Sequence, residues 1–310
     1  MSTPLNAVPG SPLESQGTAA QSAAPAVVSA TRPMYWSVRR ELWENRSIYI
    51  APLVVAGVVL LGFLIATIGR AVATADPAQR AAVLVERNNF AAGVIMATAF
   101  IVGVFYCLDA LHGERRDRSI LFWKSLPVSD LTTVLSKASI PLVVLPLLTF
   151  AIIVVMQLIM LLLSTAVLLM SGLGVATLWT PLPLFQMSLV LLYHLVTVHV
   201  LWHAPIYAWL LLVSGWARRA VFLWAVLPVV AIQIVEKIAF NTSYIAAILG
   251  HRLAGPEGFH FTAPGSAPVH PLMTFDPAKF LSTPGLWIGL AFAAAFLAAA
   301  VRLRRYREPI

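Results

Sequence analysis

Charge is what this sequence has least of. Only 11% of its 310 residues are Asp, Glu, Lys or Arg, against about a quarter in soluble domains. A net charge of +8 could point to nucleic acid, but with so few charges in total it fits membrane topology better, so no nucleic-acid partner is expected. There is one cysteine, Cys107, set inside an apolar run. That excludes a disulfide framework and any cysteine-based metal cluster. No Gly-rich loop is followed by Lys and Ser or Thr, so a P-loop for ATP is excluded, and neither a GxSxG elbow nor an HExxH pair occurs.

What the chain has instead is apolar length. Hydrophobic residues make up 59% of it, and six runs approach or exceed the roughly 20 residues a helix needs to cross hydrocarbon. They are Ile48 to Ile68, Phe90 to Leu111, Ala138 to Met170, Leu184 to Val213, Val221 to Ile238 and Leu286 to Val301. The expected fold is therefore all-α, a polytopic membrane protein of six transmembrane helices. The third and fourth runs are longer than one crossing needs, and Pro205 is the expected kink in the fourth.

Ahead of the first span, residues 1–32 are rich in Ala, Ser, Pro and Gly without an apolar block, which predicts a disordered tail and no signal peptide. Residues 33–47 follow as an expected interfacial helix. Tyr35, Val38 and Leu42 recur at helical spacing, with Trp36, Trp43, Arg39, Arg40 and Arg46 among them.

Orientation follows from Lys and Arg. With the amino terminus placed inside, fifteen of the 21 basic residues fall on cytoplasmic segments and both termini are cytoplasmic. The external loops are then residues 69–89, 171–183 and the long 239–285. The last is rich in proline yet keeps Phe259, Phe261, Leu272, Met273, Phe275 and Phe280, which predicts packing on the membrane surface with short re-entrant helices.

Polar groups inside the spans are few, and each is a candidate pathway residue: Gln157, His194, Thr197, His199, Gln233 and Glu236. At about 100° per residue, His199 and His203 share a helix face while His194 lies about 140° from His199. One helix therefore cannot bring three histidines to a metal, and no metal site is expected. Glu236 stands next to Lys237, so an interfacial ion pair is an equal reading. Asp109, seven residues before Arg116, is expected to tie its helix end to the loop that follows. The scarcity of polar lining favours an amphipathic or lipid-like substrate over an ion or sugar.

That loop, residues 112–137, is the chain's longest charged segment able to form structure. It begins with Glu114, Arg115, Arg116, Asp117 and Arg118, continues through Ile120, Leu121, Phe122 and Trp123, and breaks at Leu126-Pro127 before Ser129. Wedged between two spans, it reads as a structured tip that a soluble partner grips.

These residues also resemble a known signature. Glu114 to Leu121, then Leu126-Pro127-Val128-Ser129 and Lys137 entering the third span, resemble the type-2 permease subunits of bacterial ATP-binding-cassette exporters. The sequence departs at Asp130, where that family often has a basic residue, and at Ile120 in place of a Thr. The resemblance implies a six-span permease domain over residues 48–307 in the bacterial inner membrane, paired with a second copy or a paralogue. It also implies two separate ATPase subunits that hold ATP and Mg, so this chain would bind no cofactor and would not itself be an enzyme. Those subunits would dock on residues 113–131. Glu114, Arg115, Arg116, Asp117, Arg118, Ser119, Leu121 and Phe122 would form the coupling helix, while Leu126, Pro127 and Ser129 turn the chain back. A scaffold that kept the permease fold without transport is the alternative.

Overall fold

The computed structural model describes residues 31–70, 77–125, 128–170, 184–255 and 277–306. The expected tail up to residue 30, Leu126 and Pro127, the uncharged 171–183 segment and residues 256–276 lie outside the described residues. Among the described residues all regular structure is helical. Five helices are long and apolar enough to cross a membrane, and six if one bent pair counts as a single span. Such backbones satisfy their own N–H and C=O groups, which hydrocarbon requires.

The chain starts with α1 (Thr31–Glu44), then α2 (Ser47–Arg70) and α3 (Pro77–Ala110). The last is longer than its apolar run. Residues 77–89, read from the sequence as loop, continue the helix: Pro77 occupies its first position, and Ala, Leu, Glu and Arg carry it onward. Two short helices follow, α4 (His112–Arg116) and α5 (Ser119–Ser125), and then α6 (Asp130–Ser139). Through a π-helical segment at Ile140–Val144, α6 runs into α7 (Leu145–Met170). This span covers 41 residues, about 60 Å at 1.5 Å per residue, twice the hydrocarbon thickness. Pro141 has no N–H for the preceding turn, and the helix widens where it enters.

The fourth span is the bent one. A helix α8 (Leu184–His194) passes through a π-helical segment at Leu195–Trp202 and, after His203, into α9 (Ala204–Trp216). The two parts meet at 43°, two residues ahead of Pro205, as its missing N–H and ring clash predict. The rest is α10 (Val221–Phe240), α11 (Tyr244–Ala254), α12 (Pro277–Leu281) and α13 (Pro284–Tyr306).

Among the described residues, two large apolar clusters hold most of the bundle. In one, Ala56 and Phe63 of α2 meet Ala91 and Ile95 of α3, Ile153, Met156 and Met160 of α7, and Leu191 of α8. In the other, Ile48, Tyr106, Cys107, Ile140, Leu145, Tyr207 and Leu211 pack together, with Val38 and Leu42 of α1 against them. Small side chains let α9 and α13 approach closely, with Ala204 and Ala208 facing Ala293. Gly103 of α3 makes room for the Tyr207 ring; a Cβ there would lie 3.0 Å from it. Outward faces stay apolar, as at Val58 and Ile65 of α2 and Leu227, Val235 and Ile238 of α10.

Candidate functional site

The charged loop is built on the end of α9. Ser214 Oγ accepts from the backbone N–H groups of Leu111 (3.0 Å) and His112 (2.9 Å), two orphan donors at the start of α4. In return Arg115 donates to the carbonyls of Gly215 (2.8 Å) and Ala217 (3.2 Å), which end α9. Arg118 then adopts φ 57°, a left-handed conformation rare outside glycine, which breaks the helix between α4 and α5. Ser129 caps α6 by accepting from the Thr132 N–H at 3.1 Å.

Beneath the loop lies a buried ionic network. Glu114 accepts from Arg40 at 3.0 Å, from Lys137 at 3.1 Å and from Arg304. Glu41 accepts from Lys137 at 2.7 Å and from the Tyr106 hydroxyl at 2.9 Å, and Arg40 lies 3.3 Å from it. Arg304 also faces Asp130 at 3.2 Å. Burial is nearly complete, with relative exposures of 2% for Glu41 and Lys137, 6% for Arg304 and 7% for Glu114. Arg40, Lys137 and Arg304 face the buried Glu41 and Glu114, the partly exposed Asp130, and Glu44, which pairs with Arg40 at 3.1 Å from an exposed position. Charges so desolvated persist only when each finds partners, and removing one typically costs about 3–5 kcal/mol. Burial alone would lower the pKa of Arg40, but Glu41, Glu44 and Glu114 outweigh it and raise the guanidinium above its ordinary value.

The network joins α1, α4, α6 and α13, four elements spread along the whole chain. Asp130 has a structural role here, since its carboxylate meets Arg304.

The structure therefore divides the face that the sequence presented as one. Glu114 and Arg115, which the resemblance places in the docking helix, point inward and are buried. Ser119 is half-buried and bonds the Glu114 carbonyl at 3.4 Å. Arg116 and Asp117, ion-paired at 3.1 Å, are 60% and 63% exposed. Arg118, Leu121, Phe122 and Ser129 are also exposed. Asp109 reaches Arg116 at 4.0 Å, the expected tie between helix end and loop. Leu126 and Pro127 lie outside the described residues.

The candidate pathway residues do not gather. His199 and His203 share a face, their ring centroids 5.9 Å apart, and sit against Phe100 and Tyr207. The Tyr207 hydroxyl lies 3.4 Å from His199 Nε2. His194 is only half-buried, as is Gln233. Gln157 is buried with its Oε1 unpartnered. Thr197 donates to the Tyr193 carbonyl of the preceding turn at 2.7 Å. Glu236 takes a role that neither sequence reading anticipated. Its carboxylate accepts from the N–H groups of Tyr244 (2.6 Å) and Ile245 (3.0 Å) and the Thr242 hydroxyl (2.8 Å), capping α11. Among the described residues no three His, Cys, Asp or Glu side chains are grouped to hold a metal.

Glu41, Lys137 and Arg304 were not singled out from the sequence as a site. The one available signal was Glu41 itself, a carboxylate on the Val38/Leu42 face of an amphipathic helix where an apolar residue would pack.

Over its described residues the chain is all-helical, with five to six helices long and apolar enough for a multi-pass membrane protein. No family model, curated protein or solved structure matches it.

Proposed function

We propose that this chain is the membrane-spanning permease subunit of an ATP-binding-cassette exporter, worked by separate ATPase subunits. The docking surface is the exposed part of the loop: Arg116, Asp117, Arg118, Leu121 and Phe122. One observation carries the reading. A charged and apolar tip stands outward on two short helices while its root, Glu114, is locked to α1, α6 and α13 by buried ion pairs. A force applied to such a tip moves helices as rigid bodies instead of bending a loop.

In this reading ATP binding closes the ATPase pair and pulls the tip, and Glu114 passes the displacement to the third and sixth spans. A second permease copy or paralogue completes the pathway. The substrate is amphipathic or lipid-like, in keeping with the few buried polar groups along the spans. The tip, Arg218, Arg219 and both termini face the cytoplasm.

The test uses the protein purified from its native membrane with its partners. Reversing charge at Arg116 and Arg118 to Glu should release a co-purifying ATPase while the thermal midpoint stays within a few degrees of wild type. Retention of the ATPase by that variant would remove the docking assignment. Isolation of the intact protein without any nucleotide hydrolase would favour the scaffold alternative.

A further inference from the structure

The bend in the fourth span is held from outside that span. Trp202 Nε1 donates to the His251 carbonyl at 3.3 Å, and His203 Nε2 lies 3.4 Å from the Leu253 carbonyl. Both carbonyls stand in the last turn of α11, the end at which a helix runs short of N–H partners. Between them Arg252 reaches across. Its guanidinium lies over the Trp202 ring at 4.4 Å and donates to the Gly285 carbonyl of α13 at 3.2 Å. It also fills the space beside Gly289, where an added Cβ would overlap Nη2. Among the described residues no carboxylate pairs with Arg252, and burial lowers its pKa below the ordinary guanidinium value. At the other end of α11, Glu236 of α10 takes the N–H groups of Tyr244 and Ile245. One short helix thus ties the fifth span, the break of the fourth and the start of the sixth.

We propose that α11 is a clasp that keeps the fourth span bent, with Arg252 as its pin. Wide π-helical turns are rare and mostly single, yet Leu195–Trp202 holds eight residues of them. Pro205 accounts for one missing hydrogen bond and the bend itself, not for the long wide stretch ahead of it. The clasp supplies the rest, through contacts made only while Trp202 and His203 face α11. On its other side the Trp202 ring is closed in by Phe280 of α12 and Leu286 of α13. A pin held by a ring and a neutral carbonyl can be drawn without stranding a buried counter-charge. Once drawn, it leaves Leu195–Trp202 free to tighten into α-helix and the 43° angle free to change. The clasp and the ionic network lie at opposite ends of α13, with Gly289 and Arg304 about 22 Å apart at 1.5 Å per residue. Ala204 and Ala208 of α9 pack on Ala293 of α13, so a shift of one helix carries the other. The clasp needs no ATPase; that a pull on the loop draws the pin is the one part that rests on the permease reading.

The test uses the full chain in lipid nanodiscs, with spin labels at Leu189 of α8 and Ile288 of α13, both exposed. Hydrogen exchange is read by mass spectrometry on the same variants. Wild type should give one narrow distance distribution. Arg252→Gln should shift or broaden it, and exchange across Leu195–Trp202 and α11 should rise roughly tenfold, the size of one partly desolvated cation–π contact. The amides of α2 and of the Ser214 end of α9 should keep wild-type rates. Gly289→Ala leaves the charge in place but pushes the guanidinium aside, so it should have the same effect. The double variant should then be no worse than either single one. Lys279→Gln, which removes a cation from neighbouring α12, should read as wild type. An unchanged distance distribution in both Arg252→Gln and Gly289→Ala would overturn the clasp. So would exchange that rises evenly over every helix, since Arg252 would then be a general stabilising contact. Additive losses in the double variant would remove Arg252 as the pin. These readouts need no ATPase, so a failed docking assignment leaves the clasp standing, and a failed clasp leaves the docking assignment standing.

Discussion

At the residue scale the protein turns on Glu114 and the cations that hold it. Lys137 bridges Glu114 and Glu41 from a nearly closed environment, so Lys137→Met leaves two buried carboxylates short of charge. The expected loss is about 3–5 kcal/mol, read as a fall in the midpoint of denaturant or thermal unfolding in detergent. Asp130→Asn should cost no more than about 1 kcal/mol, because Asp130 is partly solvated and Arg304 keeps Glu114. If the two substitutions cost the same, the network is not the coupled unit its geometry describes. Glu236 belongs to this scale too. Glu236→Ala should uncap α11, and hydrogen exchange at Tyr244 and Ile245 should accelerate while the amides of α9 keep wild-type rates.

These residues also show how far sequence reasoning reaches. A charge run next to a membrane span reads as a solvated face, and for Arg116 to Arg118 that holds. It fails for Glu114 because its partners stand far off in sequence, with Arg40 74 positions and Arg304 190 positions away. Nothing local marks which charge in a run has a buried partner. His199 and His203 were legible as a pair because helical periodicity alone places them together. The capping by Glu236 was not, since it depends on α11 folding back toward the end of α10.

At the scale of elements, apolar length located the spans and Pro205 marked the bend in the fourth. The early start of α3 was hidden by its mixed charge, since periodicity searches stop where polar residues begin, whereas helix propensity does not. Helix contacts can be tested through glycine. Gly103→Ala places a methyl 3.0 Å from the buried Tyr207 ring and should destabilise the fold by about 1–3 kcal/mol. Gly62→Ala meets nothing within 4 Å, so in the single chain it should be neutral or stabilising by up to about 1 kcal/mol. Were Gly62→Ala instead to weaken self-association measured by analytical ultracentrifugation, α2 would lie at the contact between two copies of the chain.

At the scale of the molecule, the proposed function makes the loop a lever. Its tip is exposed, its root is an ion-paired joint, and the joint binds α1, α6 and α13. The most direct measurement places a photo-crosslinking amino acid at Phe122, with a second at Leu223 on the outward face of α10 as the comparison. Irradiated in native membranes, the Phe122 position should capture a nucleotide-hydrolysing subunit and the Leu223 position only lipid. Capture of lipid alone at Phe122, or of the same products at both positions, would contradict the claim that this loop is where a motor takes hold.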